Sequence, residues 1–135
     1  MGWSESSSGG FEIITSLLPH AGVYSAYECG YNSCTEYVQQ PVTIPSAASL
    51  TFWWYMTSQD SATTARDYFK VELYRMDGTL LTTLRTRDNR VRRGIWVQDS
   101  MDLSSRAGQS VILRYTTVTN ATNPTSFYVD DVVLR

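Results

Sequence analysis

Leu50-Thr51-Phe52-Trp53-Trp54-Tyr55-Met56 limits the fold more than any other stretch of the chain. It holds four aromatics in seven residues and no charge. Aromatic and β-branched side chains fit a pleated, half-buried surface better than a helix. Pro45 stands ahead of the run, and the polar Thr57-Ser58-Gln59-Asp60-Ser61 follows it. In a strand, successive side chains point to opposite faces. Leu50, Phe52, Trp54 and Met56 then share one face, and Thr51, Trp53 and Tyr55 the other. One core uses only one of these faces, so Trp53 and Tyr55 are the spare rings.

The other extended segments are less aromatic. They are predicted at 11–15, 23–28, 35–44, 68–75, 79–86, 94–98, 111–118 and 126–134. Ser4 to Gly10 reads as polar and irregular. Phe69, Val71 and Leu73 alternate with Tyr68, Lys70 and Glu72, which puts the first three inward. Asp77-Gly78 lies between two such runs and signals a hairpin. Pro41 removes a ladder donor, so its strand belongs at an edge or carries a bulge. Leu103 to Gln109 reads as a turn or a single helical turn. About nine short strands with turn signals and no convincing helix predict an all-β fold. Its expected form is one antiparallel jelly-roll β-sandwich of two sheets spanning residues 1–135.

The formal net charge is −2. It gives no overall pull toward nucleic acid or an anionic membrane. No apolar run is long enough to span a bilayer as a helix. Cys29 and Cys34 flank Gly30-Tyr31-Asn32-Ser33 without a second ligand pair, so the spacing fits no zinc motif. A local disulfide in an oxidising compartment is the first reading, and two reduced, partly buried thiols are the second. No apolar leader opens the chain, so export implies that the domain is a piece of a larger secreted protein.

Several phrases together resemble a known group of domains. These are Gly22-Val23-Tyr24-Ser25-Ala26, Gln39-Gln40-Pro41-Val42-Thr43-Ile44-Pro45 and Leu50-Thr51-Phe52-Trp53-Trp54. Met101-Asp102-Leu103-Ser104 with Ala107-Gly108-Gln109, and Phe127-Tyr128-Val129-Asp130-Asp131-Val132, complete the set. In that order they resemble the bacterial MAM-like and carbohydrate-binding-module-like jelly rolls appended to secreted peptidases and glycoside hydrolases. The resemblance implies a secreted accessory domain, an attached catalytic domain and a monomer. It also implies a structural Ca²⁺ near the last strand, with Asp130 as a ligand and Glu28 or Glu12 as partners. One feature departs from the pattern: the group opens with a strand ahead of the tryptophan matched here by Trp3, and Phe11-Glu12 comes after it.

The residues themselves suggest binding rather than catalysis. The lone His20 follows Pro19 in a turn, and no hydrolase or phosphate-loop spacing is present. If the two strands are neighbours, Trp53 and Tyr55 share an outer face with Tyr68, Lys70 and Glu72. Rings of this kind stack on sugars, and the polar groups take the hydroxyls. The expected ligand is a polysaccharide or glycan. A flat, MAM-like protein-interaction surface is the alternative. Trp54 and Trp96 are expected in the core. Arg85, Arg87, Arg90, Arg92 and Arg93 are expected in a solvated loop.

Overall fold

The computed structural model describes residues 2–135. Ten strands form two five-stranded antiparallel sheets. The strands are β1 (Ser4–Ser7), β2 (Ile14–Thr15), β3 (Ser25–Cys29), β4 (Thr35–Thr43) and β5 (Ser49–Ser58), then β6 (Tyr68–Tyr74), β7 (Leu80–Asp88), β8 (Val97–Asp102), β9 (Ser110–Val118) and β10 (Thr125–Leu134). One sheet runs β1-β4-β9-β6-β7, and the other β2-β3-β10-β5-β8. The fold is the expected all-β sandwich, with one strand more than predicted. The addition is β1, whose polar sequence carries no strand signal and which pairs with β4 from Ser4↔Gln39 to Ser7↔Glu36. A single 3-10 turn covers Ser104–Arg106. Among the described residues no helix is long and apolar enough to cross a membrane.

The alternation in β5 holds along its length. Leu50, Phe52, Trp54 and Met56 are buried, while Thr51, Trp53 and Tyr55 are half-buried on the outer side. Phe52 and Phe127 from one sheet meet Phe69 and Tyr115 from the other. The Phe69 and Phe127 rings stack 5.0 Å apart, and Phe52 meets Tyr115 edge-on at 5.1 Å. Aromatic pairs favour such geometries, and large rings dominate the apolar area a core removes from water. Arg75, Asp77 and Gly78 close the β6–β7 hairpin. Its Gly78 takes a positive φ of 91°, which a side chain would strain. Pro41 pairs with Ile112 beyond the end of β1, so β4 is an edge strand at that point. β10 carries a bulge between Asp130 and Val133, and Asp131 there has a φ of +50°.

The basic segment is a solvated loop only in part: Arg90, Arg92 and Arg93 are exposed in the loop after β7, whereas Arg85 and Arg87 lie half-buried on β7 itself. Arg87 and Arg85 both reach Asp99, Arg90 pairs with Asp88, and Arg93 donates to the carbonyls of Ser58, Asp60, Ser61 and Asn89. Asn89 is fully buried at the centre of this end. Its side chain accepts from the amides of Arg66 and Asp67 and donates to the carbonyls of Ser61 and Thr64. Arg85 and Arg87 thus tie β7 to β8 and Arg93 fastens one loop to another, and the spacing of the arginines alone does not distinguish this from an anion site.

Candidate functional site

The five residues expected to share one face lie on different sheets. Trp53 and Tyr55 are on β5, whereas Tyr68, Lys70 and Glu72 are on β6 in the opposite sheet. Each group points away from the core, so the two groups face opposite sides of the sandwich. The condition that β5 and β6 be neighbours is not met. Two separate outer surfaces replace the single predicted one.

On the β5 side the rings pack on each other. Tyr27, Tyr128 and Tyr55 are direct cross-strand neighbours on β3, β10 and β5. Their rings stand 4.6 and 5.6 Å apart along this row. Tyr55 continues to Trp96 at 5.5 Å. Burial, first, and the neighbouring tyrosine Tyr27 push the Tyr128 phenol up to about 12. Trp96 is thus half-buried on the outside rather than in the core; Trp54 is in the core as expected, 4% exposed. The loop between β2 and β3 folds over this face. His20 lies parallel on the Trp53 ring with centroids 4.1 Å apart, and its Nδ1 meets Asp131 Oδ2 at 2.7 Å. His20 is therefore part of a structural cover and not a free turn residue.

The β6 side carries a different arrangement. The register sets Gln39 of β4, Arg114 of β9 and Glu72 of β6 in one row. The adjacent row is Tyr37, Thr116 and Lys70, and Tyr74 follows on the other side. The Arg114 guanidinium lies 4.0 Å from the Tyr37 ring centre and 3.8 Å from that of Tyr74. A planar guanidinium stacks on aromatic faces in a way an ammonium does not. Arg114 Nε donates to Gln39 Oε1 at 2.9 Å. Its terminal nitrogens make no hydrogen bond of ordinary geometry among the described residues, although the guanidinium is close enough to the Tyr74 hydroxyl to favour its ionised form. Glu72 is only 6% exposed, accepting from Thr116 at 2.7 Å and from the Tyr74 hydroxyl at 3.4 Å. Burial, then the Glu72 charge, raise the Tyr74 phenol above its ordinary range. The result is a fixed cluster of aromatic faces, unused guanidinium donors and an oriented carboxylate.

Sequence reasoning placed Tyr68, Lys70 and Glu72 on this surface but missed Tyr37, Gln39, Tyr74 and Arg114. The alternation in β4, β6 and β9 assigns each of the four to an outer face. What it does not give is the order β4-β9-β6, which brings them together.

The expected calcium ligands do not converge. Asp130 points outward, and its carboxylate accepts the amides of His20, Ala21 and Asp131. Glu28 is fully buried between the sheets and accepts from Thr117 at 2.9 Å. It faces the opposite side of its sheet from Asp130. Glu12 is exposed on the segment before β2. A hard cation needs several oxygens around one point, and Glu28, buried on the inner face, cannot join Asp130 in supplying them. The one cluster of metal-ligating side chains among the described residues is Cys29, Cys34 and Glu36. Its two sulfurs are joined as the Cys29–Cys34 disulfide, which leaves no thiolate to bind a metal.

No family model matches the chain, and no curated protein matches it in sequence. Several solved structures share the fold. TmCBM61, solved with β-1,4-galactotriose, superposes with a TM-score of 0.65 at 13% identity, covering 98% of this chain and 87% of that one. The K3 cleaved adhesin domain of Lys-gingipain from Porphyromonas gingivalis gives 0.63 at 15% identity, covering 99% and 91%. The CBM22-1 xylan-binding domain of Paenibacillus barcinonensis Xyn10C gives 0.54 at 16%, covering 99% and 85%. The chain is thus an antiparallel β-sandwich of the architecture found in carbohydrate-binding modules and adhesin domains. Likeness at this identity speaks for the fold, and the fold hosts many functions.

Proposed function

We propose that this chain is a non-catalytic carbohydrate-binding module whose glycan lies along the outer face of β4, β9 and β6. One observation carries the reading: Arg114 is held between Tyr37 and Tyr74 with its terminal donors unused, beside the oriented carboxylate of Glu72. Sugar hydroxyls both donate and accept. A site with preset donors, a preset acceptor and flanking apolar faces meets them without first reorganising. Lys70 and Tyr68 extend the same face toward one end of the strands. The structures that share the fold include two whose partners are named as galactotriose and xylan. The disulfide fits an oxidising, extracellular setting. In such a setting the module would hold an attached catalytic domain against a polysaccharide.

The test is affinity electrophoresis on a panel of soluble polysaccharides. At least one should retard the native chain, and Arg114→Ala and Glu72→Gln should each remove the retardation. Retardation that survives both changes would reject this face as the site.

The adhesin-domain likeness supports a second reading, a protein-contact module on the same scaffold. It predicts no retardation on any polysaccharide, with the same Arg114 face protected from hydrogen exchange by a protein partner.

A further inference from the structure

A cavity of about 340 Å³ opens beside the disulfide turn, at the edge formed by the segment before β2. Phe11, Leu17, Tyr27 and Tyr31 wall it, and its two charged groups are Glu12 and Glu36. No Lys or Arg lines it. Along the sequence, residues 1–65 hold five carboxylates and neither Lys nor Arg. Of those five, only Asp60 has a basic partner, Arg66, among the described lysine and arginine ion pairs. Glu12 makes no hydrogen bond or ion pair among the described residues. Neither Glu12 nor Glu36, the two carboxylates of the cavity, has a lysine or arginine ion-pair partner among the described residues.

The walls are built to a fixed shape. Phe11 and Tyr31 stand with ring centres 5.2 Å apart at 60°. Tyr31 is tied at its hydroxyl, which donates to Glu36 at 2.9 Å and accepts from the Gly9 amide at 3.0 Å. A Cβ on Gly9 would sit 2.6 Å from the Phe11 ring, and one on Gly30 would sit 2.4 Å from the Tyr27 hydroxyl. Glycine is what lets the rings close on the backbone here. Yet Phe11 remains 61% exposed and Leu17 68% exposed. Apolar surface of this extent, next to unpaired carboxylate, matches a ligand with an apolar face and a positive charge. Aromatic rings attract such cations through their quadrupoles, and a carboxylate adds direct attraction.

We propose that this cavity binds a protonated, non-acetylated amino sugar. Its ring lies against Phe11 and Tyr31, and its ammonium group meets Glu12 with the buried Glu36 carboxylate behind. That the cation is carried on a sugar rests on the carbohydrate reading above; the cavity and its charge do not. The cavity shares no residue with the Arg114 face, so the two readings fail separately.

The test titrates the full chain with glucosamine, N-acetylglucosamine, glucose and tetramethylammonium, followed by amide shifts of residues 9–12 and 29–31. Glucosamine should bind at least tenfold more tightly than either neutral sugar and more tightly than tetramethylammonium. Its binding should weaken with added salt. Glu12→Gln and Phe11→Ala should each lower glucosamine affinity at least fivefold, and Arg114→Ala should leave it unchanged. Both altered side chains are exposed, and a thermal melt confirms that each variant folds. Should a variant fail to fold, the ligand series on the unaltered chain decides alone. Equal binding of the three sugars, binding of none, or a preference for tetramethylammonium would each overturn the proposal.

Discussion

The imidazole of His20 lies flat on the indole of Trp53, 4.1 Å between centroids and 16° from parallel. The Asp131 carboxylate fixes the imidazole from its edge, and the β10 bulge presents that carboxylate. A ring with one face already stacked is a poor platform for a sugar, and we therefore expect Trp53 to contribute to stability more than to recognition. Trp53→Ala should leave retardation on the cognate polysaccharide unchanged. It should lower unfolding free energy by about 2 kcal/mol, the scale of removing a half-buried aromatic with one stacked partner. Urea denaturation alongside affinity electrophoresis checks both parts. Lost retardation in a variant of unchanged stability would return Trp53 to the binding surface.

Arg114 offers a sharper test of recognition because the role proposed for it depends on shape as well as charge. Lysine would keep the charge, yet it has no planar group to lie between Tyr37 and Tyr74 and no fork of donors. Arg114→Lys should therefore weaken glycan binding at least tenfold, nearly as much as Arg114→Ala. A lysine variant that binds like the native chain would show that only the charge matters there. Isothermal titration with a short oligosaccharide of the retained polymer measures the difference.

Much of the sandwich was legible because alternation in a strand is a local property. The inward set of β5, the inward positions 69, 71 and 73, and the Asp77-Gly78 hairpin follow from residues at a spacing of two or from one turn dipeptide. The site was only half legible. Alternation says that Trp53 and Glu72 both point outward, but not which sheet each strand joins. β5 and β6 are consecutive in sequence and lie in different sheets, so their outward faces are opposite. The same gap hid the row of Gln39, Arg114 and Glu72, which takes three strands far apart in sequence. Trp96 was misplaced because an apolar residue beside a strand start reads as core. Here the Tyr55 ring and the loop carrying His20 give it an apolar setting outside the core. β1 was invisible because its hydrogen bonds to β4 are made by a backbone whose side chains are nearly all serine.

The disulfide closes a short loop, with a sequence separation of 5. Chain-entropy arguments give such a loop about 2 kcal/mol, less than a longer loop would contribute. Cys29→Ser combined with Cys34→Ser should lower stability by about that amount and leave the chain folded. Its effect should reach the neighbouring edge, because Glu36 accepts from the Cys29 amide and the Tyr31 hydroxyl. Denaturant unfolding of the native chain with and without reductant should show the same loss. A chain that fails to fold without the bridge would mean that the turn directs folding and is more than a clip.

Glu28 makes the stability of this sandwich depend on pH in an unusual direction. Its carboxyl is fully buried, and that burial holds its pKa well above the ordinary value of 4.5; Thr117 partly offsets the rise, and the Glu36 charge adds to it. Below about pH 4.5 the group is neutral in both folded and unfolded chains, and its contribution to stability is fully present. As the pH rises further, the unfolded chain releases the proton while the folded chain keeps it. Stability then falls by about 1.4 kcal/mol per pH unit until the folded carboxyl also ionises. Asp77 and Asp88, whose hydrogen bonds lower their pKa values, work in the opposite sense, so the raw profile mixes both trends. Glu28→Gln keeps the shape and an acceptor for Thr117 while removing the charge. The difference between variant and native stability should therefore isolate Glu28: near zero slope below about pH 4.5, and a growing advantage for the variant above it. Urea midpoints taken at intervals from acid to neutral pH measure this difference, and parallel curves for the two proteins would show that Glu28 does not carry the linkage.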